Sequence, residues 1–182
     1  MSQLEFLLVG VSILIALVLA KLIEGFYQAI LGRLWWVHTA WLLNRFVAAL
    51  LPLWGLSPSR GGVAAAIQNI DSFGQMLLLM MGPIIMLLSA MLLVSDRPAE
   101  VADWRAHYES VRRPFLTLLI VLISINGIAT YRSDTPIPLG VYLFMIATAV
   151  TGLVSGSARI QAGVVIAHSS VLLLGVVRVL NQ

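Results

Sequence analysis

Long apolar runs separated by short polar stretches form the pattern of this chain. Within a run the apolar residues are continuous and do not alternate with polar ones, which favours helices over the strands of a membrane β-barrel. A helix needs about 20 mostly apolar residues to cross the hydrocarbon layer of a bilayer. The sequence therefore predicts an all-α polytopic membrane protein, a bundle of six transmembrane helices. The runs are Phe6 to Leu31, Leu34 to Leu56, Phe73 to Val94, from after Pro114 to about Tyr131, Pro138 to Val154 and Ile160 to Leu180.

The composition supports this class and excludes several others. Of the 182 residues, 60% are hydrophobic and 10% are charged, and the mean hydropathy is +0.98. A soluble domain is about 45–50% apolar and about 25% charged. A soluble enzyme, a disordered chain and a nucleic-acid-binding domain are therefore excluded, and the lipid bilayer is the expected partner. Because the linkers are too short for a second domain, residues 1–182 are expected to form a single transmembrane helical domain.

The basic residues on the linkers predict how the chain is oriented. With the N-terminus outside, seven Lys and Arg residues lie on the inner side and three on the outer side. Cytoplasmic loops carry the excess of Lys and Arg, so both termini are expected on the outer side. The inner set is Lys21, Arg33, Arg97, Arg105, Arg112, Arg113 and Arg159, and the outer set is Arg60, Arg132 and Arg178.

The linker before the fourth run has the pattern of an amphipathic helix. Its apolar residues recur at helical spacing, with charged residues between them, and Pro98 suits the first turn of a helix. Residues 98–112 are therefore expected to form an interfacial helix on the inner side. One interpretation is a solvated connector, and the other is a contact site for a partner or an anionic lipid. The expected contact residues are Trp104, Arg105, Tyr108, Arg112 and Arg113.

Polar side chains near the turn between the first two runs are the first candidate site. Lys21, Glu24 and Gln28 share one helical face, and His38 and Arg45 share a face of the next run. Ionisable groups in spans are costly and are functional hypotheses by default. The two faces are expected to meet in a cluster of Glu24, His38 and Arg45 that serves a proton or ion pathway. The alternative is that Lys21, Glu24 and His38 lie at the membrane interface.

Fewer polar groups occur in the second half of the chain. Asn126 lies late in the fourth run and His168 lies in the middle of the sixth. His168 is expected either to hydrogen-bond between helices or to serve a ligand or pore. A b-type haem held by His38 or His168 is a less favoured possibility, because the two histidines are expected at different depths. No metal site, no other cofactor and no catalytic motif is found, and the chain lacks cysteine, so no enzymatic activity is expected.

Two segments resemble those of known proteins. The first is Trp36-Val37-His38-Thr39-Ala40-Trp41, and the second runs from Trp104 to Phe115 with the pattern Arg-x-His-Tyr-x-x-x-Arg-Arg-x-Phe. They are similar to segments of an uncharacterised family of short, multi-spanning bacterial membrane proteins. The resemblance covers about 30 residues. It implies a bacterial inner (plasma) membrane protein, and it does not indicate any particular activity.

Two function classes remain open from the sequence. The first is a small channel or transporter for protons or small ions, expected to be a homo-oligomer, that uses the polar cluster of the first hairpin. The second is a non-catalytic accessory subunit of a larger membrane complex. The cluster favours the first class, whereas the absence of a polar stripe along any whole helix favours the second.

Overall fold

The computed structural model of the chain describes residues 3–32, 35–54, 73–101, 103–132 and 138–180, and all regular structure in these ranges is helical. This confirms the predicted all-helical fold class. The long helices lie where the apolar runs predict them. They are α1 (Gln3–Leu31), α2 (Trp36–Trp54), α3 (Phe73–Leu93), α4 (Trp104–Arg132), α5 (Leu139–Val154) and α6 (Ala158–Leu180), with a 3₁₀ turn at Pro98–Glu100.

The helices form a closed bundle in which α2 is the most surrounded element. Neighbouring pairs around the bundle are α1 with α3, α3 with α4, α4 with α5, α5 with α6, α6 with α2 and α2 with α1. The helix α2 also contacts α3 and α4. Its buried residues Trp41, Leu42 and Ala49 belong to the hydrophobic core. Polar groups on α2 are therefore brought into the interior of the bundle.

Three interhelical connections lie at the same end of the bundle, which we name the hairpin end. Side chains from the end of α1 and the start of α2 bond to backbone atoms at the end of α3. Arg112, near the start of α4, bonds to carbonyls at the end of α5. The α1–α2, α3–α4 and α5–α6 connections therefore lie together, and the basic residues Arg97, Arg105 and Arg159 of the predicted inner set are at this end.

The helix α1 shows how an almost wholly apolar sequence is divided between core and membrane. Buried residues recur at intervals of three or four, which is the spacing of one helical face. The opposite face carries exposed apolar side chains, including Phe6, Ile13 and Leu17. Such a face is stable where lipid covers it, whereas its exposure to water would be unfavourable. The buried face consists of Leu7, Val11, Ile15, Val18, Leu22, Gly25 and Ala29.

Close packing of α1 depends on Gly25. A methyl group built on Gly25 would lie 2.6 Å from Cγ2 of Val94 and 3.0 Å from Cδ2 of Leu42. Small residues at membrane helix contacts allow backbones to approach in this way. Other glycines of the helices divide into two groups. Gly10, Gly127 and Gly152 do face neighbouring side chains, whereas Gly82, Gly163 and Gly175 face open space.

Four helices of the described chain are long and apolar enough to cross a membrane. The qualifying segments are Glu5–Leu31, Gly74–Leu93, Trp104–Ile128 and Ala158–Arg178. The helix α2 is interrupted by polar residues at its centre, and α5 has 16 residues, about 24 Å at 1.5 Å per residue. The protein is thus an apolar helical bundle with four candidate membrane-spanning helices.

The expected interfacial helix at 98–112 is wrong. After the 3₁₀ turn, α4 begins at Trp104 and continues through Pro114 to Arg132 without a break. The apolar spacing of Trp104 and Tyr108 continues in phase through Phe115 and Leu119, so one face packs into the core along the whole helix. The Pro114 side chain lies on the exposed side of α4.

Candidate functional site

A first polar group ties the end of α1 to the end of α3. Nζ of Lys21 donates to Glu24 at 3.1 Å and to Asp96 at 3.0 Å. Nε2 of Gln28 donates to Glu24 at 2.9 Å and to the Ser95 carbonyl at 3.0 Å. The expected shared face of Lys21, Glu24 and Gln28 is confirmed. Because Glu24 and Asp96 are exposed, this group lies at the surface of the hairpin end, and its ion pairs contribute little to stability.

A second group surrounds His38. Its Nε2 lies 2.8 Å from the carbonyl oxygen of Leu93, in the last turn of α3. A carbonyl oxygen accepts, so Nε2 carries the proton and donates, which satisfies one of the unpaired carbonyls at a helix end. The ring stacks on Trp104, and the His107 ring lies edge-on to both. His38 and Trp104 are buried.

A third group is a buried chain of hydrogen bonds across three helices. Nε1 of Trp41 donates to the Tyr108 hydroxyl at 3.1 Å, and this hydroxyl donates to Oε1 of Gln161 at 2.9 Å. Nε2 of Gln161 donates to the carbonyls of Gly152 and Ser155 at 2.7 and 2.6 Å. The chain thereby fastens α2, α4 and α6 to the end of α5.

Arg112 completes the end of α5. Its Nη1 donates to the Ser155 carbonyl and, at 3.3 Å, to the Gly152 carbonyl, and its Nε lies 3.4 Å from Glu109. A cation at a helix C-terminus is stabilised by the carbonyls that have no partner within the helix. Trp104, Tyr108 and Arg112 were expected to contact a partner or lipid, but they are buried and serve the interior. Arg105 and Arg113 are exposed.

The direction of these bonds bears on proton movement. An indole N–H only donates and a carbonyl only accepts. The chain from Trp41 through Tyr108 to Gln161 therefore begins at a group that cannot receive a proton and ends at backbone carbonyls. It is a fixed structural network, and a proton relay does not pass along it.

A fourth group lies deeper, between α2, α5 and α6, and we name it the central polar site. Ser169 bonds to Asn44 at 3.1 Å, and Nε2 of His168 lies 3.1 Å from the Thr148 hydroxyl. Arg45, the next residue of α2 after Asn44, is buried as well. The Trp41 ring, whose centroid is 5.3 Å from that of His168, separates this site from the hairpin end. Its members are Asn44, Arg45, Thr148, His168 and Ser169.

Arg45 is the charged residue of this site. It is 6% exposed, its Nε has no hydrogen-bond partner, and no ion pair joins it to a carboxylate among the described residues. A buried and unpaired charge is costly, so proteins retain one where it has a partner or a function.

The structure separates the expected cluster of Glu24, His38 and Arg45. Glu24 bonds to Lys21 and Gln28, His38 bonds to the Leu93 carbonyl, and Arg45 forms no ion pair with a described carboxylate. The shared buried face of His38 and Arg45 on α2 is confirmed. The physical reason for the separation is that Glu24 has its partners, Lys21 and Gln28, on its own helix. The part of α2 around Arg45 meets α6 instead, where Asn44 bonds to Ser169.

The remaining residues and cofactors considered from the sequence belong neither to the hairpin end nor to the central polar site. Asn126 lies on an exposed face of α4 towards the opposite end of the bundle. His38 bonds to the Leu93 carbonyl and His168 to Thr148, so the two histidines have different partners, and the haem possibility stays a prediction. Groups of three or more side chains suited to a metal ion do not occur within the described ranges. Sequence reasoning missed Gln161, although an amide at the second position of the sixth apolar run indicates a buried bonding role.

Comparisons of the chain with protein families, with curated proteins and with solved structures give no match. The resemblance of the segments at Trp36 and Trp104 to a bacterial family therefore stays a prediction, and the function is argued from the geometry.

Proposed function

We propose that the chain is a small integral membrane channel or transporter for protons or small ions, and that the central polar site is where the ion is held. The single observation that carries the proposal is Arg45, which is buried inside an apolar bundle without an ion pair among the described residues. Ionisable residues at such positions mark ion and substrate pathways.

The contacts at the hairpin end favour the central polar site over the cluster expected from the sequence. Lys21, Glu24 and Gln28 bond to one another and to the α3–α4 connection. The buried network of Tyr108 has its donors and acceptors matched. Groups that satisfy one another in this way stabilise the fold and are poorly suited to exchange partners with a passing ion.

The membrane arrangement is part of the proposal. We place all six helices across the bilayer, with α2 as an inner helix whose polar residues are shielded by its neighbours. Its 19 residues give about 28 Å at 1.5 Å per residue, close to the hydrocarbon thickness of about 30 Å. The basic hairpin end faces the cytoplasm of a bacterium, and both termini face outward.

Flux measurements test the proposal. The purified protein in liposomes is expected to carry an imposed ion gradient, read as internal pH and as chloride release, faster than empty liposomes. The Arg45→Gln variant is expected to lose this flux, whereas the control Arg159→Gln, which removes an exposed arginine, keeps it. Wild-type liposomes that match empty ones for both ions would contradict the proposal.

The accessory-subunit class is the second candidate, favoured by the extent of exposed apolar surface. Side chains such as Ile30, Leu31 and Trp36 are exposed beside one another at the α1–α2 connection. A homo-oligomer or a larger membrane complex would cover them. Extraction in a mild detergent distinguishes these cases, because a transporter is expected alone or as a symmetric oligomer, and an accessory subunit is expected with larger partners.

A further inference from the structure

We infer that the central polar site binds a small monovalent anion such as chloride. The inference rests on the proposed function, because it names the class of ion that the site would hold. It is carried by the donors that remain without partners in the site, by the sign of the charge there, and by the separation of the described carboxylates from it.

The unpartnered groups beside α6 include two donors. Nε of Arg45 and Nδ2 of Asn44 are buried and have no hydrogen-bond partner among the described residues. Both atoms carry N–H groups and only donate. A buried donor without a partner costs about 1–3 kcal/mol, so an acceptor at this place would lower the free energy of the folded bundle.

The hydroxyls of the site do not supply that acceptor. Ser169 has one proton, which faces both Oδ1 of Asn44 and the Val165 carbonyl. The one proton of Thr148 faces the carbonyls of Phe144 and Met145. Since the single Thr148 proton faces carbonyls, Nε2 of His168 donates to the Thr148 oxygen. The two hydroxyls are occupied by the protein itself. Nδ1 of His168 is also buried without a partner, and the N–H groups of Asn44 and Arg45 that have no partner are left for a ligand.

The charge around the site selects an anion over a cation. Arg45 is positive, and the carboxylates Glu24, Asp96, Glu100, Asp103 and Glu109 belong to segments at the hairpin end. Glu5 lies in the first turn of α1, at the opposite end of the bundle. A cation would meet the guanidinium charge without a described carboxylate to offset it. One buried positive charge is balanced by one negative charge, which indicates a monovalent ion.

The competing partner is a carboxylate of the chain itself. Asp71 and Asp134 lie in segments outside the described residues, and the helices that flank these segments end opposite the hairpin end. Either side chain, if it reached Arg45, would form a buried ion pair and leave no place for an added anion. The experiment has to distinguish this pair from a bound ion.

Binding is measured on the purified full chain in detergent at constant ionic strength, with sodium chloride or bromide replacing sodium gluconate. The inference predicts a higher unfolding temperature in chloride and bromide, and broadening of the chloride-35 resonance by the protein. Both effects are expected to disappear in Arg45→Gln and to persist in Arg159→Gln. If Arg45→Gln does not fold, Asn44→Leu, which removes the side-chain amide and keeps the guanidinium, is expected to weaken both effects.

Two results would overturn the inference. One is an unfolding temperature and a resonance that do not respond to chloride or bromide in the wild type. The other is that Asp71→Asn or Asp134→Asn destabilises the protein as much as Arg45→Gln, with no response to the added anions. Proton flux that depends on Arg45, without anion binding, would contradict the anion site but leave the proposed function standing. Anion binding without any flux would support the anion site and contradict the proposed function.

Discussion

The ring of His38 stacks on the ring of Trp104, with 5.0 Å between the centroids and 24° between the planes. These residues belong to the two segments that resemble a bacterial family, 36–41 and 104–115. Trp41 and Tyr108, from the same two segments, are joined by a hydrogen bond. The two segments thus form one packing unit, which joins the start of α2 to the start of α4.

Removal of the His38 side chain is expected to destabilise the bundle. His38→Leu leaves the buried Leu93 carbonyl without its donor, which costs about 1–3 kcal/mol, and also removes the stack on Trp104. The free energy of unfolding in mixed detergent micelles measures this loss. His38→Gln keeps an N–H donor and is expected to retain part of the stability. A leucine variant as stable as the wild type would show that the Leu93 bond contributes nothing.

The Tyr108 hydroxyl is expected to be needed for stability. Tyr108→Phe leaves the indole N–H of Trp41 and Oε1 of Gln161 unpaired, and we expect a loss of about 1–3 kcal/mol for each buried group left without a partner. Thermal unfolding followed by tryptophan fluorescence measures it. Tyr27→Phe is the matched control, because Tyr27 is exposed on α1 and is expected to show almost no change. Equal effects at both positions would contradict the buried network.

Two glycine substitutions test the close approach of α1. Gly25→Ala places a methyl group against Val94 and Leu42, and overpacking of this kind typically costs about 1–3 kcal/mol. Gly163→Ala adds the same group on α6 where there is open space. It is expected to be neutral or to stabilise by up to about 1 kcal/mol. The comparison uses unfolding midpoints, and an alanine at Gly25 that is tolerated as well as one at Gly163 would contradict the packing.

Single cysteines test the position of the hairpin end in the membrane. The chain contains no cysteine, so each introduced thiol reports one site. Ser110→Cys and Ser157→Cys lie at exposed positions of the hairpin end and are expected to react only from the cytoplasmic side with an impermeant maleimide. Gly140→Cys, at the start of α5, is expected to react from the outside. Labelling of Ser110→Cys and Ser157→Cys from opposite sides would contradict the bundle.

Much of the fold was predictable because it follows from the apolar pattern. The six runs correspond to the six long helices of the described chain, and the spacing of Lys21, Glu24 and Gln28 placed them on one face. The predicted helix boundary at Pro114 is wrong, because this proline lies inside α4. The helical spacing of apolar residues is the better guide to the extent of this helix. That spacing continues from Tyr108 to Phe115 and holds α4 together as one helix.

Which polar residues meet in the folded bundle was less predictable than where the helices lie. Sequence spacing shows which residues share a face, but not which helix that face meets. Arg45 lies in a part of α2 that contacts α6, whereas Glu24 bonds to side chains of its own helix. Residues more than 100 positions apart, such as Asn44 and Ser169, are joined by that contact, and no local pattern indicates it.

The central claim is that the function resides at Arg45 and that the charged groups of the hairpin end are structural. The most direct test compares Arg45→Gln with Glu24→Gln for ion flux in liposomes of equal protein content. The account predicts that Arg45→Gln abolishes the flux and that Glu24→Gln leaves it unchanged. Loss of flux in Glu24→Gln together with normal flux in Arg45→Gln would contradict it.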